Sequence, residues 1–253
     1  MSFTDHLLFL ACVALATYAQ TTTGFAFSLV LLGLAGVLSL SSLSEMTNVV
    51  NMLALVNVLV ALRGVRANVN VSLIKGAFYS SSVGVAVGVG VLYWVSGDAM
   101  LWLSGLLGVT ILGCATLLVV RKRPLAQISS PASFMSYGLL SGLLGGLFSS
   151  AGPPMVYHMY RQPLSLAIIR DSLLVFFAAN AALRIVFVGA SGGLTLSSVW
   201  LAIEALPVVV VLTWLVRRYA SPESLKTVRL FVFFLLVVAG LGLIVPAART
   251  LFG

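Results

Sequence analysis

The residues best suited to chemistry lie in two polar segments, each in the middle of a long uncharged stretch. The stretch 6–44 contains Gln20-Thr21-Thr22-Thr23-Gly24. The stretch 124–160 contains Gly145-Gly146, followed by Ser149-Ser150-Ala151-Gly152-Pro153-Pro154. Because proline lacks an amide hydrogen and glycine loosens a helix, both stretches are predicted to break at these segments.

A broken helix of this kind has the chemistry of an anion site. Where a helix restarts, its first backbone N–H groups have no partner within the helix, and its dipole presents a positive end. The two restarts, near Phe25 and Pro154, are predicted to face each other, ringed by the hydroxyls of Thr21, Thr22, Thr23, Ser149 and Ser150. Such a ring suits the oxygens of a small oxyanion. The alternative is that these hydroxyls bond to neighbouring backbone and ease helix packing.

A second group of polar residues follows each break. A polar side chain in a membrane span usually faces protein or a cavity, so these residues are candidates for substrate contact. Interhelical hydrogen bonding is the alternative for the asparagines, and pairing with Asp171 is the alternative for Arg170. Arg184, towards the other end of the helix that Arg170 opens, is expected at the outer rim with its charge reaching towards headgroups. The candidate substrate-binding residues of this group are Asn51, Asn57, Asn180 and Arg170, together with Gln20, Gly24, Gly152 and Pro153 of the breaks. The candidates for proton coupling are Glu204, His158 and Asp171.

The composition places these residues in a membrane protein. Of 253 residues, 60% are hydrophobic and 8% are charged. A soluble domain is about a quarter charged, so lipid must cover most of this surface. Crossing a bilayer core of about 30 Å takes about 20 helical residues. Spans are predicted near 45–63, 69–95 and 99–120, and again near 166–187, 196–216 and 227–248. The first apolar run lacks a basic start and is too long for a signal peptide, so we expect it to remain in the mature protein.

The chain repeats itself at offsets of 122 to 125 residues. Gly24 corresponds to Gly146, Asn48 to Asp171, and Asn57 to Asn180. Recurrence of this kind indicates duplication. We therefore predict two repeats, 1–123 and 124–253, each made of a broken or re-entrant helix pair followed by three transmembrane helices.

The basic residues predict that the two repeats are inverted. Arg63, Arg66 and Lys75 surround one loop of the first half, whereas its counterpart at 189–194 carries no charge. The loop 96–98 has one acidic residue and no basic one. Its counterpart in the second half is flanked by four basic residues, Arg217, Arg218, Lys226 and Arg229. Since Lys and Arg favour cytoplasmic loops, a bias that swaps between equivalent loops indicates opposite orientations. The connector 121–123 and Arg161 are then cytoplasmic.

The two breaks also resemble a known family. The segment from Gln20 to Phe27 is similar to the first-repeat signature of the sulfite exporter TauE/SafE family, a group of bacterial anion permeases. The segment from Gly142 to Pro154, followed by Met155-Val156-Tyr157, resembles the Gly-rich, double-proline signature of that family's second repeat. Two departures concern the first break: Ala26 stands where the family usually has glycine, and no proline follows Phe27. The resemblance implies an integral membrane carrier of sulfite, organosulfonates or other small sulfur-containing anions.

Together these observations predict an all-α secondary transporter that works by alternating access around the two breaks. An anion channel of the same fold is the second interpretation. An intramembrane serine hydrolase using Ser149 or Ser150 with His158 is the third, and nothing in the sequence fixes those residues in mutual geometry. The expected location is the bacterial plasma membrane, with a coupling proton or ion as an additional partner. We expect no cofactor, no bound metal and no nucleic acid, and the sequence does not set the oligomeric state.

Overall fold

The computed structural model describes residues 2–23, 25–62, 69–95, 99–119, 125–219 and 224–252. Several predictions lie outside these ranges. They concern Gly24, the charged loops at 63–68 and 96–98, the basic connector at 121–123 and the loop at 220–223. The side chains of Lys226 and Arg229 also lie outside the described part of the chain.

Within the described ranges the chain forms ten helices and no strand. The first five are α1 (Phe3–Thr23), α2 (Phe27–Val37), α3 (Leu43–Leu62), α4 (Val71–Trp94) and α5 (Ala99–Val119). The second five are α6 (Pro131–Phe148), α7 (Gly152–Met159), α8 (Leu166–Ala190), α9 (Leu196–Tyr219) and α10 (Ser224–Phe252). The six predicted spans agree with α3, α4, α5, α8, α9 and α10 within a few residues, and both long uncharged stretches are divided into two helices at the predicted breaks.

Six described segments are long and apolar enough to cross a membrane. They are Phe3–Thr23, Leu43–Leu62, Val71–Trp94, Leu166–Ala190, Leu196–Tyr219 and Leu230–Ala248. This set includes α1, which the sequence predicts as half of a broken pair, and it leaves out the predicted span at α5, whose apolar segment Leu101–Thr116 is shorter. Large apolar side chains such as Trp94, Trp200 and Phe234 lie exposed on the outside of the bundle. Buried polar residues lie inside it, among them Asn48, Asn51 and Asn180. A surface that is apolar around a partly polar interior is that of a multi-pass membrane protein.

Local sequence sets several helix starts. Ser130 caps α6 by accepting a hydrogen bond from the Ser133 amide, and Pro131 occupies the first turn, where its missing N–H is not needed. Ser165 caps α8 in the same way. Pro153 and Pro154 lie in the first turn of α7, so they end the preceding segment without distorting a helix interior.

One end of the bundle, here called the His6 end, brings together the start of α1 and the end of α2. His6 and Ser41 line one cavity of about 550 Å³ there. Glu45, at the start of α3, accepts a hydrogen bond from Ser197 at the start of α9. Tyr93, at the end of α4, donates to the carbonyl of Gly193, which follows α8. At this end, therefore, α3 and α9 begin and α4 and α8 end.

The opposite end, here called the Gln162 end, brings together the start of α6 and the residues after α7. The Leu125 amide donates to the Arg161 carbonyl at 2.7 Å, and the Ser129 amide donates to Gln162 Oε1 at 2.9 Å. The start of α4 meets that of α8 where Asn70 N–H donates to Ser172 Oγ, and the end of α9 meets that of α3 where Arg217 donates to the Ala61 carbonyl. Each broken pair therefore enters the bundle and leaves it at the same end.

The second break is positioned by close contact between α4 and α6. A Cβ atom added at Gly88 would lie 2.5 Å from the Leu143 carbonyl oxygen, and one added at Gly146 would lie 2.5 Å from the Val85 carbonyl oxygen. Only glycine permits backbones to approach this closely, which is the small-residue packing that membrane helices favour. Because the two backbones touch, the end of α6 has little freedom to shift relative to α4.

Candidate functional site

The two breaks meet at one cavity in the interior of the bundle. Its volume is about 40 Å³, enough for two or three water molecules at about 10–15 Å³ each. Residues of both halves line it, from the first break, the second break, α3 and α8. The sequence-predicted site residues that it brings together are Gln20, Asn51, Ser149, Ser150, Gly152 and Asn180.

Two residues that line this cavity each carry an enclosed polar atom without a partner among the described residues. The atoms are Ser150 Oγ and Asn180 Oδ1. Asn180 Nδ2 donates to the Phe176 carbonyl of its own helix at 2.8 Å, so the Oδ1 atom takes no part in that hydrogen bond. A buried polar atom left without a hydrogen bond is unfavourable, so this cavity is suited to a polar occupant.

Some of the amides freed by the breaks are held by side chains. Gln20 Oε1 accepts the hydrogen bond of the Phe27 amide at 3.0 Å, and Ser141 Oγ accepts that of the Met155 amide at 3.0 Å. Neither Ala26 nor Ala151, which precede α2 and α7, supplies a side-chain cap. Phe25, Ser28 and Gly152 line the cavity, so both helices begin beside it, where the positive ends of their dipoles lie.

The threonines of the first break turn their hydroxyl protons back to their own helix. Thr21 donates to the Thr17 carbonyl at 2.7 Å, Thr22 to the Tyr18 carbonyl at 2.8 Å, and Thr23 to the Ala19 carbonyl at 2.7 Å. None of the three, nor Pro153, is among the residues that line the cavity. This is the backbone-bonding arrangement that competes with a ligand for the same hydroxyls.

The remaining predicted residues lie away from the cavity. Asn57 is buried and donates to Thr213 Oγ1 at 2.9 Å. Arg170 is more than half exposed near the Gln162 end and lies 3.6 Å from the buried Asp171. His158 is buried against Tyr137 and Phe134, with both ring centroids 4.4 Å away.

Glu204 lies at the His6 end, and its ion-pair partner is His6. The Nδ1 atom of His6 is 2.8 Å from Glu204 Oε2, and the side chains are 39% and 33% exposed, respectively. Both residues line the cavity of about 550 Å³ that opens at this end. The pair couples α1 to α9 at the edge of the bundle.

The structure shows how the first break accommodates its two departures from the family pattern, at Ala26 and after Phe27. Ala26 has φ −84° and ψ −5°, a conformation open to any residue, so glycine is not required there. Ser28, which occupies the position after Phe27, donates to the Ser149 carbonyl at 2.6 Å. Ser149 has a φ of 51° and donates its own hydroxyl to the Thr47 carbonyl at 2.9 Å.

Sequence reasoning missed Ser28 and misplaced Arg184. Arg184 was expected at the outer rim with its charge reaching towards headgroups, but its side chain is only 1% exposed and bonds to Asn48 and Gly146. The signal that could have found it is its spacing, because Arg184 and Asn180 are four residues apart on α8 and therefore share a helix face. Among the described residues no group of three or more His, Cys, Asp or Glu side chains could hold a metal ion.

Comparison with known proteins identifies the family of this chain. The family model described as "Sulfite exporter TauE/SafE" matches residues 8–243. A curated relative, "Probable sulfite/organosulfonate exporter TauE" of Cupriavidus necator, is 34% identical over 237 residues, which cover 94% of this chain and 93% of the relative. No solved structure matches the chain. With the family model spanning nearly its whole length, the chain belongs to the sulfite exporter TauE/SafE family.

Proposed function

We propose that this protein is a secondary transporter that moves sulfite or small organosulfonates across the bacterial plasma membrane. The single observation that carries the proposal is the cavity where the two breaks meet, two of whose lining residues carry a buried polar atom without a hydrogen-bond partner, Ser150 Oγ and Asn180 Oδ1. The family and the relative from Cupriavidus necator, itself described as a probable sulfite/organosulfonate exporter, support the same substrate class.

The cavity supplies complementary groups for such an anion. Ser150 can donate a hydrogen bond to a sulfonate or sulfite oxygen. The starts of α2 and α7 add the favourable field of two helix dipoles. The described residues that line the cavity include no cation, so these dipoles supply the positive field that a sulfur oxyanion meets there. Asn180 Oδ1 can accept a hydrogen bond from a bisulfite hydroxyl or from the ammonium group of an aminosulfonate.

The transport mechanism that fits this arrangement is alternating access between two inverted repeats. In support, α3 begins at the His6 end and its counterpart α8 begins at the Gln162 end, while α4 and α9 exchange ends in the same way. Three asparagines of α3 mark the pathway: Asn51 lines the cavity, Asn48 lies towards the His6 end, and Asn57 lies towards the Gln162 end. The Asn48 and Asn57 hydrogen bonds are then the two closures that open in turn.

Reconstituted protein tests the function directly. We expect proteoliposomes to take up radiolabelled sulfite or taurine with saturation and with counterflow against the unlabelled anion, which a channel does not give. If neither anion moves above protein-free liposomes, the proposed function fails. Saturation without counterflow, or a linear flux, favours the channel.

Thiol labelling tests the inversion. Thr4 and Gln127 lie at equivalent positions of the two repeats, 123 residues apart, and both are exposed. In a background lacking Cys12 and Cys114, an impermeant reagent applied to intact cells should label Thr4→Cys and not Gln127→Cys. The orientation follows from the basic residues Lys75, Arg161 and Arg170 at the Gln162 end. Labelling of both from one side contradicts inverted repeats.

A further inference from the structure

Arg184 is the most deeply buried charge in the described part of the chain. Its side chain is 1% exposed, and it is the largest of the fully buried side chains. Nε donates to the Gly146 carbonyl at 3.0 Å, and Nη1 donates to Asn48 Oδ1 at 3.0 Å. Nη2 is enclosed and has no hydrogen-bond partner among the described residues.

The protein does not neutralise this charge where the chain is described. The ion pairs recorded there join His6 with Glu204 and Arg170 with Asp171, and neither includes Arg184. The groups that Arg184 contacts are a backbone carbonyl and a neutral amide. Burying an unpaired cation is strongly unfavourable, and charged residues within membrane spans typically line the path of an ion or substrate. The unpaired Nη2 group of Arg184 can therefore donate a hydrogen bond to an anionic oxygen.

The guanidinium lies one helical turn from the break cavity, on the side of the His6 end. Asn180 of α8 and Asn51 of α3 line the cavity, and Arg184 and Asn48 lie about one turn beyond them on the same two helices. Gly145 also lines the cavity, and the next residue, Gly146, holds Arg184 Nε. Any solute that moves between the cavity and the His6 end along α3 and α8 passes this layer.

The same layer links Arg184 to the loop that closes the His6 end. Asn48 accepts from Arg184 through its oxygen and donates through Nδ2 to the Gly193 carbonyl at 2.9 Å and to the Tyr93 hydroxyl at 3.1 Å. One asparagine thus joins α3, α4, α8 and the residues between α8 and α9. If the guanidinium released Asn48, this closure would lose its central bond.

A buried arginine in this layer is found in only one half of the described structure. With the offset of 123 that relates Asn57 to Asn180, the position equivalent to Arg184 is Ala61. The Ala61 carbonyl accepts a hydrogen bond from Arg217 of α9, but that arginine is exposed. The two sides of the pathway therefore differ, because the arginine is buried on the side of the His6 end and exposed at the Gln162 end.

We propose that Arg184 is the anion-recognising residue of the passage between the cavity and the His6 end, and that its hydrogen bond to Asn48 closes that passage until an oxyanion takes its place on the guanidinium. The planar fork of arginine binds oxyanions through two parallel N–H···O bonds, which suits the oxygens of sulfite or a sulfonate. This inference rests on the proposed transport function. It adds the residue that selects for negative charge and the side on which selection occurs.

Charge-selective modification of a cavity thiol tests the proposal. A single cysteine is introduced at Ala54, which lines the cavity, in a variant from which Cys12 and Cys114 have been removed. Right-side-out vesicles are treated with anionic sulfonatoethyl methanethiosulfonate or its cationic trimethylammonioethyl analogue, and each rate is divided by that of a free thiol. We expect the anionic reagent to react faster. Arg184→Gln should lower the anionic-to-cationic ratio by about tenfold, which corresponds to about 1.4 kcal/mol, and Arg184→Lys should retain most of it.

The matched control is Arg218→Gln, because Arg218 lies against Trp214 near the Gln162 end and should not affect the ratio.

If Arg184→Gln does not fold, Asn48→Asp keeps the arginine and places a carboxylate beside it, and the same fall in the ratio is expected. An unchanged ratio in both variants overturns the proposal, as does a thiol that neither reagent reaches from the His6 side. If the parent protein transports sulfite while the ratio is unchanged, only the role of Arg184 fails. If the ratio falls but no sulfur anion is transported, only the proposed function fails.

Discussion

Ser28 Oγ donates a 2.6 Å hydrogen bond to the carbonyl oxygen of Ser149, a residue 121 positions away in the other half of the chain. Ser149 in turn donates to the Thr47 carbonyl of α3. The break of the second half is thereby fastened to α2 and α3 of the first half. Two discontinuous helices that share a hydrogen bond beside the cavity are expected to shift together when the cavity opens.

Removal of that bond should loosen the junction between the breaks. Ser28→Ala leaves the partly buried Ser149 carbonyl without its hydroxyl donor, so we expect a loss of about 1 kcal/mol in the free energy of unfolding. Ser136→Ala is the control, because Ser136 is exposed and donates only to the Ala132 carbonyl of its own helix. Thermal unfolding in detergent and counterflow in liposomes measure the two effects. Equal stability and equal counterflow for both variants would remove the bond from the mechanism.

The hydroxyls of the two breaks should not contribute equally to anion binding. Ser150 Oγ is unpartnered at the cavity, whereas the Thr22 hydroxyl proton already bonds to the Tyr18 carbonyl. Ser150→Ala should therefore weaken sulfite or taurine affinity several-fold, the effect of losing about 1 kcal/mol of hydrogen bonding. Thr22→Val should leave affinity nearly unchanged. Substrate-induced thermal stabilisation of both purified variants provides the measurement, and a larger loss for Thr22→Val would contradict this assignment.

The breaks could be predicted from the sequence because their causes are local. Pro153 and Pro154 cannot continue a preceding helix, and a cluster of threonines and glycine within an apolar stretch marks a second interruption. The helix limits followed from the same kind of information, since charge and hydropathy set where a span begins and ends. Asn51 and Asn180 were found at the cavity because buried amides in spans face protein.

The position of Arg184 could not be predicted in this way because it depends on contacts between distant segments. Its partners, Asn48 and Gly146, come from α3 and α6. Viewed along α8 alone, an arginine six residues before the helix end is equally able to extend towards headgroups. The threonines posed the opposite problem, since their type and clustering favour a ligand site, whereas their hydroxyl protons are bonded within α1.

The pair formed by His6 and Glu204 should determine how transport responds to pH. Glu204 faces the cavity at the His6 end and lies 2.8 Å from the one histidine near it, so a proton can be shared between them. We expect Glu204→Gln to abolish transport driven by a pH gradient while counterflow persists, because exchange of bound anion needs no net proton movement. Glu45→Gln is the control, since Glu45 lines the same cavity and is bonded to Ser197. Unchanged pH dependence in Glu204→Gln would leave the pair as a purely structural link between α1 and α9.

Two glycines of α4 should respond in opposite ways to the same substitution. A Cβ at Gly88 would lie 2.5 Å from the Leu143 carbonyl oxygen and 2.9 Å from the Leu147 nitrogen, both in the backbone of α6. Gly88→Ala must therefore push α6 away, and overpacking of this kind costs about 1–3 kcal/mol. A Cβ at Gly90 meets nothing within 4 Å, so Gly90→Ala should leave stability unchanged or raise it by up to about 1 kcal/mol through helix propensity.

The displacement caused by Gly88→Ala should also reach the transport pathway. Gly146, whose carbonyl holds Arg184, lies 3.0 Å from the position of the added Cβ. We therefore expect Gly88→Ala to lower both the unfolding temperature and the rate of sulfite counterflow, whereas Gly90→Ala should preserve both. Scanning fluorimetry and liposome counterflow on the two variants, purified side by side, provide the comparison. Equal behaviour of the two variants would mean that α6 yields to an added methyl group, and that contact with α4 does not position the second break.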